Sequence, residues 1–307
     1  MNKVIAVCGP TAVGKTKYAI DVAKALNGEI ISCDSMQIYK FMDIGSAKPT
    51  KEECAEVAHL LVDEIDPKDE FTVADYSERA RKYINDVISR GKTPVIEGGT
   101  GLYLNSLIYE MDFGNAEKDL ELRRNLEDEA ELYGPEYIYA KLERLDPDAA
   151  SRIHPNNVKK VIRALEGAIS GNNIQDFSKL ERKNEDYDIV LIGLNRDREE
   201  LYSRINMRVD MMVEEGLFDE VSKLLKMGLD EDDISMKGIG YKEIIAYFNG
   251  EMSKNEAIEL IKQNTRHLAK RQITWFKRYK DMKWFNIDDY GSDEDLINDI
   301  LAYIGEI

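Results

Sequence analysis

The sequence predicts an α/β fold, a parallel sheet with helices on both faces and a helical domain inserted into it. Three observations predict it. Short, largely apolar strands alternate with helical stretches near the start, a complete Gly-x-x-x-x-Gly-Lys-Thr loop stands between the first strand and first helix, and charged, helix-forming sequence takes over from about Phe113.

The first element is the apolar run at residues 4–8, followed by a Gly-rich turn, a helix over residues 15–26 and, after Gly28, a second strand at 29–33. A helical stretch at 73–89 leads to a third strand at 93–97, which closes on Gly98, Gly99, Thr100 and Gly101. Short apolar strands alternating with helices belong to parallel sheets covered on both sides. Beyond Phe113 no convincing buried strand appears until residues 188–194, which rejoin the sheet, and helices near 198–215, 218–227 and 253–279 complete the chain. A length of 307 residues fits two domains. The expected division is a discontinuous core, 1–113 with 187–307, and a helical insertion, 114–186, with the polar stretch 172–187 as a mobile connection.

No apolar run approaches the roughly 18 residues that span a bilayer, and the N-terminal run is too short for a signal peptide, so a soluble cytoplasmic protein without a membrane partner is expected. The three cysteines, Cys8, Cys33 and Cys54, have no zinc or redox spacing and read as reduced small hydrophobes. His59, His154 and His267 also lack metal spacing, so no metal site made of protein ligands alone is expected. A net charge of −17 argues against nucleic acid as a whole-surface property. Two stretches run the other way: 151–165 carries Arg152, Lys159, Lys160 and Arg163 with no acid, and 262–283 carries eight Lys/Arg against Asp281. They are either solvated helix faces or local patches for an anionic partner.

Gly9, Pro10, Thr11, Ala12, Val13, Gly14, Lys15 and Thr16 satisfy the phosphate-loop pattern in full, between strand and helix. The fold is therefore P-loop NTPase-like. Backbone N–H groups of such a loop curl around phosphate oxygens, the helix N-terminus adds partial positive charge, Lys15 supplies a mobile cation, and the Thr16 hydroxyl is offered to Mg²⁺. Asp34 ends the second strand at the carboxyl edge, where it serves as a metal-associated carboxylate, as a general base, or simply as the cap of the turn through Ser35 and Met36. Thr100 has the same position on the third strand, facing the phosphate pocket or capping a helix from Gly101. Arg204 and Arg208 lie i,i+4 on one helical face, fit either to meet a pyrophosphate or to pair with Asp210 and Glu214. Along the C-terminal helix, Ile258, Ile261, Leu268, Ala269, Gln272 and Phe276 mark a packing side and Lys262, Arg266, Lys270 and Lys277 a basic one. Trp275, Phe276, Tyr279 and Trp284 interleave with that charge, as base-stacking residues or as core.

These words jointly resemble the bacterial tRNA dimethylallyltransferases. The resemblance rests on residues 9–16, on Asp34-Ser35-Met36-Gln37-Ile38-Tyr39 with Met42-Asp43-Ile44-Gly45-Ser46-Ala47-Lys48-Pro49, and on Gly98-Gly99-Thr100-Gly101-Leu102-Tyr103. It extends through Ile153-His154-Pro155-Asn156, Gly238-Ile239-Gly240-Tyr241 and Ala269-Lys270-Arg271-Gln272-Ile273-Thr274-Trp275-Phe276. The resemblance implies transfer of a dimethylallyl group from dimethylallyl diphosphate to N6 of the adenosine 3′ to the anticodon, with release of pyrophosphate. The P-loop then holds an allylic diphosphate with Mg²⁺. It implies that Asp34 takes the N6 proton, Thr100 touches RNA and pyrophosphate, and Arg208 stabilises the leaving group. It also implies that Ser35, Met36 and Gln37 hold the target nucleotide and that Arg123 lies near the mouth on the insertion side. Lys159, Lys160, Val161, Ile162 and Arg163, and likewise Ser235, Met236, Lys237, Gly238, Ile239 and Gly240, would meet the anticodon stem-loop, with the adenine flipped out.

Two other classes fit the P-loop alone. An ATP-dependent small-molecule kinase would use Asp34 near the metal, and a nucleotide switch or RNA-binding module would do no chemistry. The first leaves both basic stretches unexplained, and the second leaves Asp34 and Thr100 aimed at the loop without purpose. A monomer is the expectation, since no pattern demands an interface.

Overall fold

The structure, a computed structural model, describes residues 2–111, 120–171 and 182–306. The chain begins with β1 (Asn2–Cys8), α1 (Lys15–Ala25), β2 (Gly28–Ser32), α2 (Lys51–Glu56), β3 (His59–Leu60), α3 (Val73–Ser89), β4 (Thr93–Gly98) and α4 (Gly101–Ile108). Four helices follow: α5 (Leu120–Tyr133), α6 (Pro135–Leu145), α7 (Pro147–Ala150) and α8 (Val158–Ile169). The chain then forms β5 (Tyr187–Asn195), α9 (Arg198–Glu214), α10 (Leu217–Lys226), α11 (Tyr241–Phe248), α12 (Lys254–Phe276), β6 (Lys283–Asn286) and α13 (Asp293–Glu306).

Two compact units result, Met1–Ile108 with Asn184–Ile307, and Tyr109–Lys183. The sequence expectation set the breaks at 113/114 and 186/187. The first of these, and residues 172–181 of the expected mobile connection, lie outside the described residues.

In the larger unit the strands form one sheet in the order β3-β2-β4-β1-β5-β6, every pair parallel. Val4, Ile5, Ala6 and Val7 of β1 are each 0% exposed. Adjacent strand residues point to opposite faces, so neither face of the central strand meets solvent, and helices cover both. The edge strands β3 and β6 escape sequence reading for a physical reason. They span two and four residues, and β6 begins on exposed Lys283, as edges that avoid stray pairing do.

Helix α3 forms because Thr72 and Asp75 make a reciprocal capping box and Tyr76, Ala80, Ile84 and Val87 recur on one buried face. Ser253 and Glu256 start α12 in the same way. Helix α1 is different: its N-cap is Gly14, in the left-handed region at φ 105°, with no side chain on the helix end. Its first N–H groups are thereby left for a ligand.

The smaller unit packs α5 to α8 around Leu126, Ile138, Leu142, Val161, Ile162 and Leu165. Asp146 and Asn157 cap α7 and α8 through their side chains, which sets the turns between these short helices. No helix among the described residues is long and apolar enough to cross a membrane.

Candidate active site

Strands β1, β2 and β4 run parallel, so their carboxyl ends deliver Gly9, Cys33 with Asp34, and Gly98 to one edge of the sheet, where ligands of such sheets bind. The P-loop bends there at Ala12 (φ 63°) and Gly14 (φ 105°). Gly9 is required by close approach, since a Cβ would lie 2.6 Å from the Leu194 carbonyl oxygen. Three loop carbonyls accept from cations: Pro10 from Lys15 Nζ at 3.0 Å, Ala12 from Arg204 Nε at 3.1 Å and Val13 from Arg196 Nε at 3.1 Å. Arg204 therefore braces the loop and does not pair with Asp210, which instead meets Lys262 at 2.8 Å. The side chains of Pro10 and Val13 are buried, so any ligand contact of theirs is through the backbone.

The loop opens on a cavity of about 310 Å³, at the small end of ligand sites. Lys15, Lys17 and Arg208 line it with Thr16, Asp34, Glu53 and Glu97, three cations against three carboxylates. Burial pulls the Lys15 pKa down, and the negative charges of Glu97 and Asp34 partly restore it. Arg208 is drawn down by the same burial and supported by the same two acids. One side of the wall is apolar, with Ile205, Val209 and Met212 from α9, Leu217 from α10, and Ile261 and Leu268 from α12.

Asp34 Oδ1 accepts the N–H of Met36 at 2.8 Å and of Gln37 at 3.4 Å. It is thus both the cap of its turn and a wall of the cavity. Thr100 stands at the start of α4 as one expectation had it, but its hydroxyl turns to Ser35 and not to the phosphate pocket. Its hydroxyl accepts the N–H of Ser35 at 3.1 Å and lies 3.4 Å from the Ser35 hydroxyl, and it does not line the cavity, while its carbonyl takes the N-cap place of α4 by accepting the N–H of Leu104 at 3.2 Å. What it does is hold the turn that carries Asp34. Gln37 is buried, accepting from Ser32 Oγ at 3.0 Å and donating to the Ala47 carbonyl at 3.1 Å. Met36 lines the cavity and lies so close to Gly238 that a Cβ there would be 2.6 Å from its Cε.

Two site residues escape the sequence reading. Glu97 is 4% exposed, lies beside Thr16, and has its pKa raised by burial against the pull of Lys15. Its signal is an acid closing the apolar strand just before Gly98 and Gly99. Gln272, expected on the packing side of its helix, lines the cavity. Its Oε1 accepts the N–H of Thr11 at 2.8 Å, and its Nε2 donates to the Gly99 carbonyl at 3.1 Å.

Several expected RNA contacts are corrected by burial. Ser235 and Met236 are 0% exposed, and the Ser235 hydroxyl donates to the Pro67 carbonyl at 2.7 Å. Neither side chain can meet a macromolecule. Lys237 is exposed beside them, Gly238 is half-buried, and Ile239 and Gly240 line the cavity. In the smaller unit Val161 and Ile162 belong to the core, while Lys159, Lys160 and Arg163 stand exposed on α8. Arg123 is engaged by Glu166 in a two-pronged pair at 2.7 and 3.0 Å, and Arg163 reaches the same carboxylate at 3.5 Å. The basic side of α12 is likewise half consumed, since Lys262 meets Asp210 and Arg266 meets Asn206 at 2.6 Å, leaving Lys270 and Lys277 exposed. The aromatics interleaved with that charge pack inward. Trp275 covers Gly101, Trp284 covers Gly193, Phe276 and Tyr279 are buried, and the Tyr279 hydroxyl bonds Asn105.

A family model described as IPP transferase matches residues 37–279. The chain is 54% identical over 300 residues to a tRNA dimethylallyltransferase of Clostridioides difficile, covering 98% of this chain and 96% of the relative. It is 53% identical over 301 residues to one from Alkaliphilus oremlandii, with the same coverage. Among solved structures it is similar to the full-length tRNA isopentenylpyrophosphate transferase of Bacillus halodurans, with TM-score 0.76, 44% identity and coverage of 100% and 96%. It is also similar to a eukaryotic dimethylallyltransferase solved acting on tRNA, with TM-score 0.80, 28% identity and coverage of 99% and 80%.

Proposed function

The chain belongs to the IPP transferase family, and from that premise we propose that it is a tRNA dimethylallyltransferase, moving a dimethylallyl group from its diphosphate to N6 of the adenosine 3′ to the anticodon. One observation carries the reading. A single cavity joins a cation-lined P-loop, the carboxylate of Asp34 and an apolar wall, which suits a donor that is anionic at one end and hydrocarbon at the other.

The diphosphate lies against the P-loop, with Lys15 and Arg208 meeting the charge that grows on the leaving oxygen as the C1–O bond breaks. The five-carbon chain lies on Ile205, Val209, Met212 and Leu217, where water is excluded. The adenine N6 lone pair forms the new bond to C1, pyrophosphate departs with the bonding electrons, and the N6 proton goes to Asp34. Thr100 acts through Ser35 to keep that carboxylate in place.

The donor set fits Mg²⁺. Among the described residues no group of three or more His, Cys, Asp and Glu gathers around a point, but the Thr16 hydroxyl and Glu97 carboxylate are hard oxygen donors beside the P-loop. Mg²⁺ takes one or two such ligands and completes its shell from phosphates and water. When bound it supplies countercharge to the diphosphate, and Thr16 with Glu97 would hold it.

On the smaller unit Lys159, Lys160 and Arg163 are offered to RNA phosphates, and in the larger unit the target base, out of its stack, reaches Asp34. The reaction belongs in the cytoplasm, with its tRNA substrate. The test is to incubate the protein with Mg²⁺, dimethylallyl diphosphate and an unmodified anticodon stem-loop bearing adenosine 3′ to the anticodon, and to weigh the RNA. Gain of one five-carbon unit on that adenosine is expected. RNA of unchanged mass, with ATP turned over on a small acceptor, would overturn the reading in favour of a kinase.

A further inference from the structure

Glu220, on α10, is 8% exposed and belongs to no part of the chemistry above. Its carboxylate is nevertheless fully occupied. Oε2 accepts the N–H of Asp43 at 2.8 Å and of Ile44 at 2.7 Å. Oε1 accepts the N–H of Gly45 at 3.0 Å and the hydroxyl of Tyr241 at 2.8 Å. Three successive backbone N–H groups turned onto one anion form a nest, an arrangement that a neutral side chain cannot satisfy.

The segment so held reaches the site directly. Gly45, Ser46 and Ala47 line the cavity, and the Ala47 carbonyl is the acceptor of the Gln37 side chain, three residues after Asp34. Tyr241 is 0% exposed and lies against Gly45, where a Cβ would be 2.5 Å from the phenol, so only glycine lets the ring reach Glu220. On the same segment Lys48 is gripped between Asp43 at 2.6 Å and Asp63 at 2.7 Å.

We propose that Glu220, with Tyr241, is a positioning residue for prenyl transfer: it fixes the 43–47 loop as a wall of the cavity and, through Ala47 and Gln37, sets the acceptor side of the site. The inference rests on the transferase reading. It predicts a separation of functions, because the P-loop is braced by Lys15, Arg196, Arg204 and Gln272 and not by Glu220. Freeing the loop misplaces the acceptor without loosening the diphosphate.

The variant Glu220→Gln keeps the shape but leaves one acceptor oxygen, and sets an NH₂ group against backbone N–H donors. Its kcat/KM for the stem-loop RNA should fall about tenfold or more, as expected when reacting groups are misplaced by a fraction of an ångström. Pyrophosphate affinity by calorimetry should stay within about twofold, the additivity limit for groups without shared partners. Amide hydrogen exchange should rise over residues 43–48 and stay unchanged over residues 9–16. Tyr241→Phe removes one of the four bonds and should give a smaller change in the same direction. An unchanged kcat/KM in Glu220→Gln overturns the proposal, and so does a loss of activity accompanied by equal loosening of residues 9–16 and weaker pyrophosphate binding. If Glu220→Gln does not fold, Tyr241→Phe with wild-type exchange and turnover overturns it. Should the wild-type protein add no five-carbon unit, the transferase reading fails by itself, while the exchange measurement still decides whether Glu220 holds the loop.

Discussion

The carboxamide of Gln272 accepts the N–H of Thr11 at 2.8 Å while donating to Gly99, so one side chain from α12 ties the P-loop to the turn after β4. The approach is close enough that a Cβ on Gly99 would lie 2.3 Å from the Gln272 nitrogen. Gln272→Leu should leave the Thr11 N–H without a partner and cost about 1–3 kcal/mol. Weaker pyrophosphate binding by calorimetry, together with a lower melting temperature, is the expected result.

Asp34 carries two duties that can be separated. Asp34→Asn keeps an oxygen for the Met36 and Gln37 N–H groups but cannot take a proton, whereas Asp34→Ala breaks the turn as well. Transfer by Asp34→Asn should fall by about 10²–10⁴, the range for loss of a general base, with pyrophosphate affinity retained. Single-turnover kinetics on the stem-loop substrate measures it, and full turnover would remove Asp34 from the role of base.

The acid-sensitive element lies away from the site. Arg90, and less strongly Lys92, hydrogen-bond Glu29 and hold its pKa at about 2, below the usual glutamate value. A carboxylate whose pKa is lower in the folded than in the unfolded chain adds stability above its unfolded pKa and loses it as pH falls through the folded value. Glu29→Gln should therefore cost about 1–3 kcal/mol at pH 7, allowing for the exposure of Arg90 and Lys92, and progressively less as the pH falls from the unfolded glutamate value through the folded value of about 2. Denaturant melts across that interval would show the wild-type and variant curves converging as acid is added.

Neighbouring positions on α8 should behave in opposite ways. Replacing exposed Lys159 and Arg163 by Glu should weaken RNA binding and make the dependence of log K on log salt shallower by about 1 for each phosphate left unneutralised. Buried Val161→Ala should instead cost about 1–3 kcal/mol of stability and leave that slope unchanged. Filter binding over a salt series, beside thermal melts, distinguishes the two.

Much of this was legible in one dimension. The P-loop, the parallel strands and Asp34 at a strand end follow from local pattern, because glycine freedom, apolar runs and strand-to-loop transitions are set by near neighbours in sequence. Burial was not legible residue by residue. Val161 and Ile162 sit between two lysines and an arginine in a basic stretch, and only the packing of α8 on α5 and α6 turns them inward. Ser235 and Met236 are buried in the same way, Ser235 with its hydroxyl on the Pro67 carbonyl.

The sequence by itself determined the fold class, the phosphate loop and, through its joined motifs, the family. Each depends on residues within a few positions of one another. Tertiary structure alone decided how charges are spent. Arg204 braces a loop 192 positions away, Glu220 reaches Asp43 across 177, and Glu97 at the end of β4 comes beside Thr16 of α1. A carboxylate or guanidinium declares its partner only when the chain has folded, because the buried group must be satisfied by whatever the topology brings beside it.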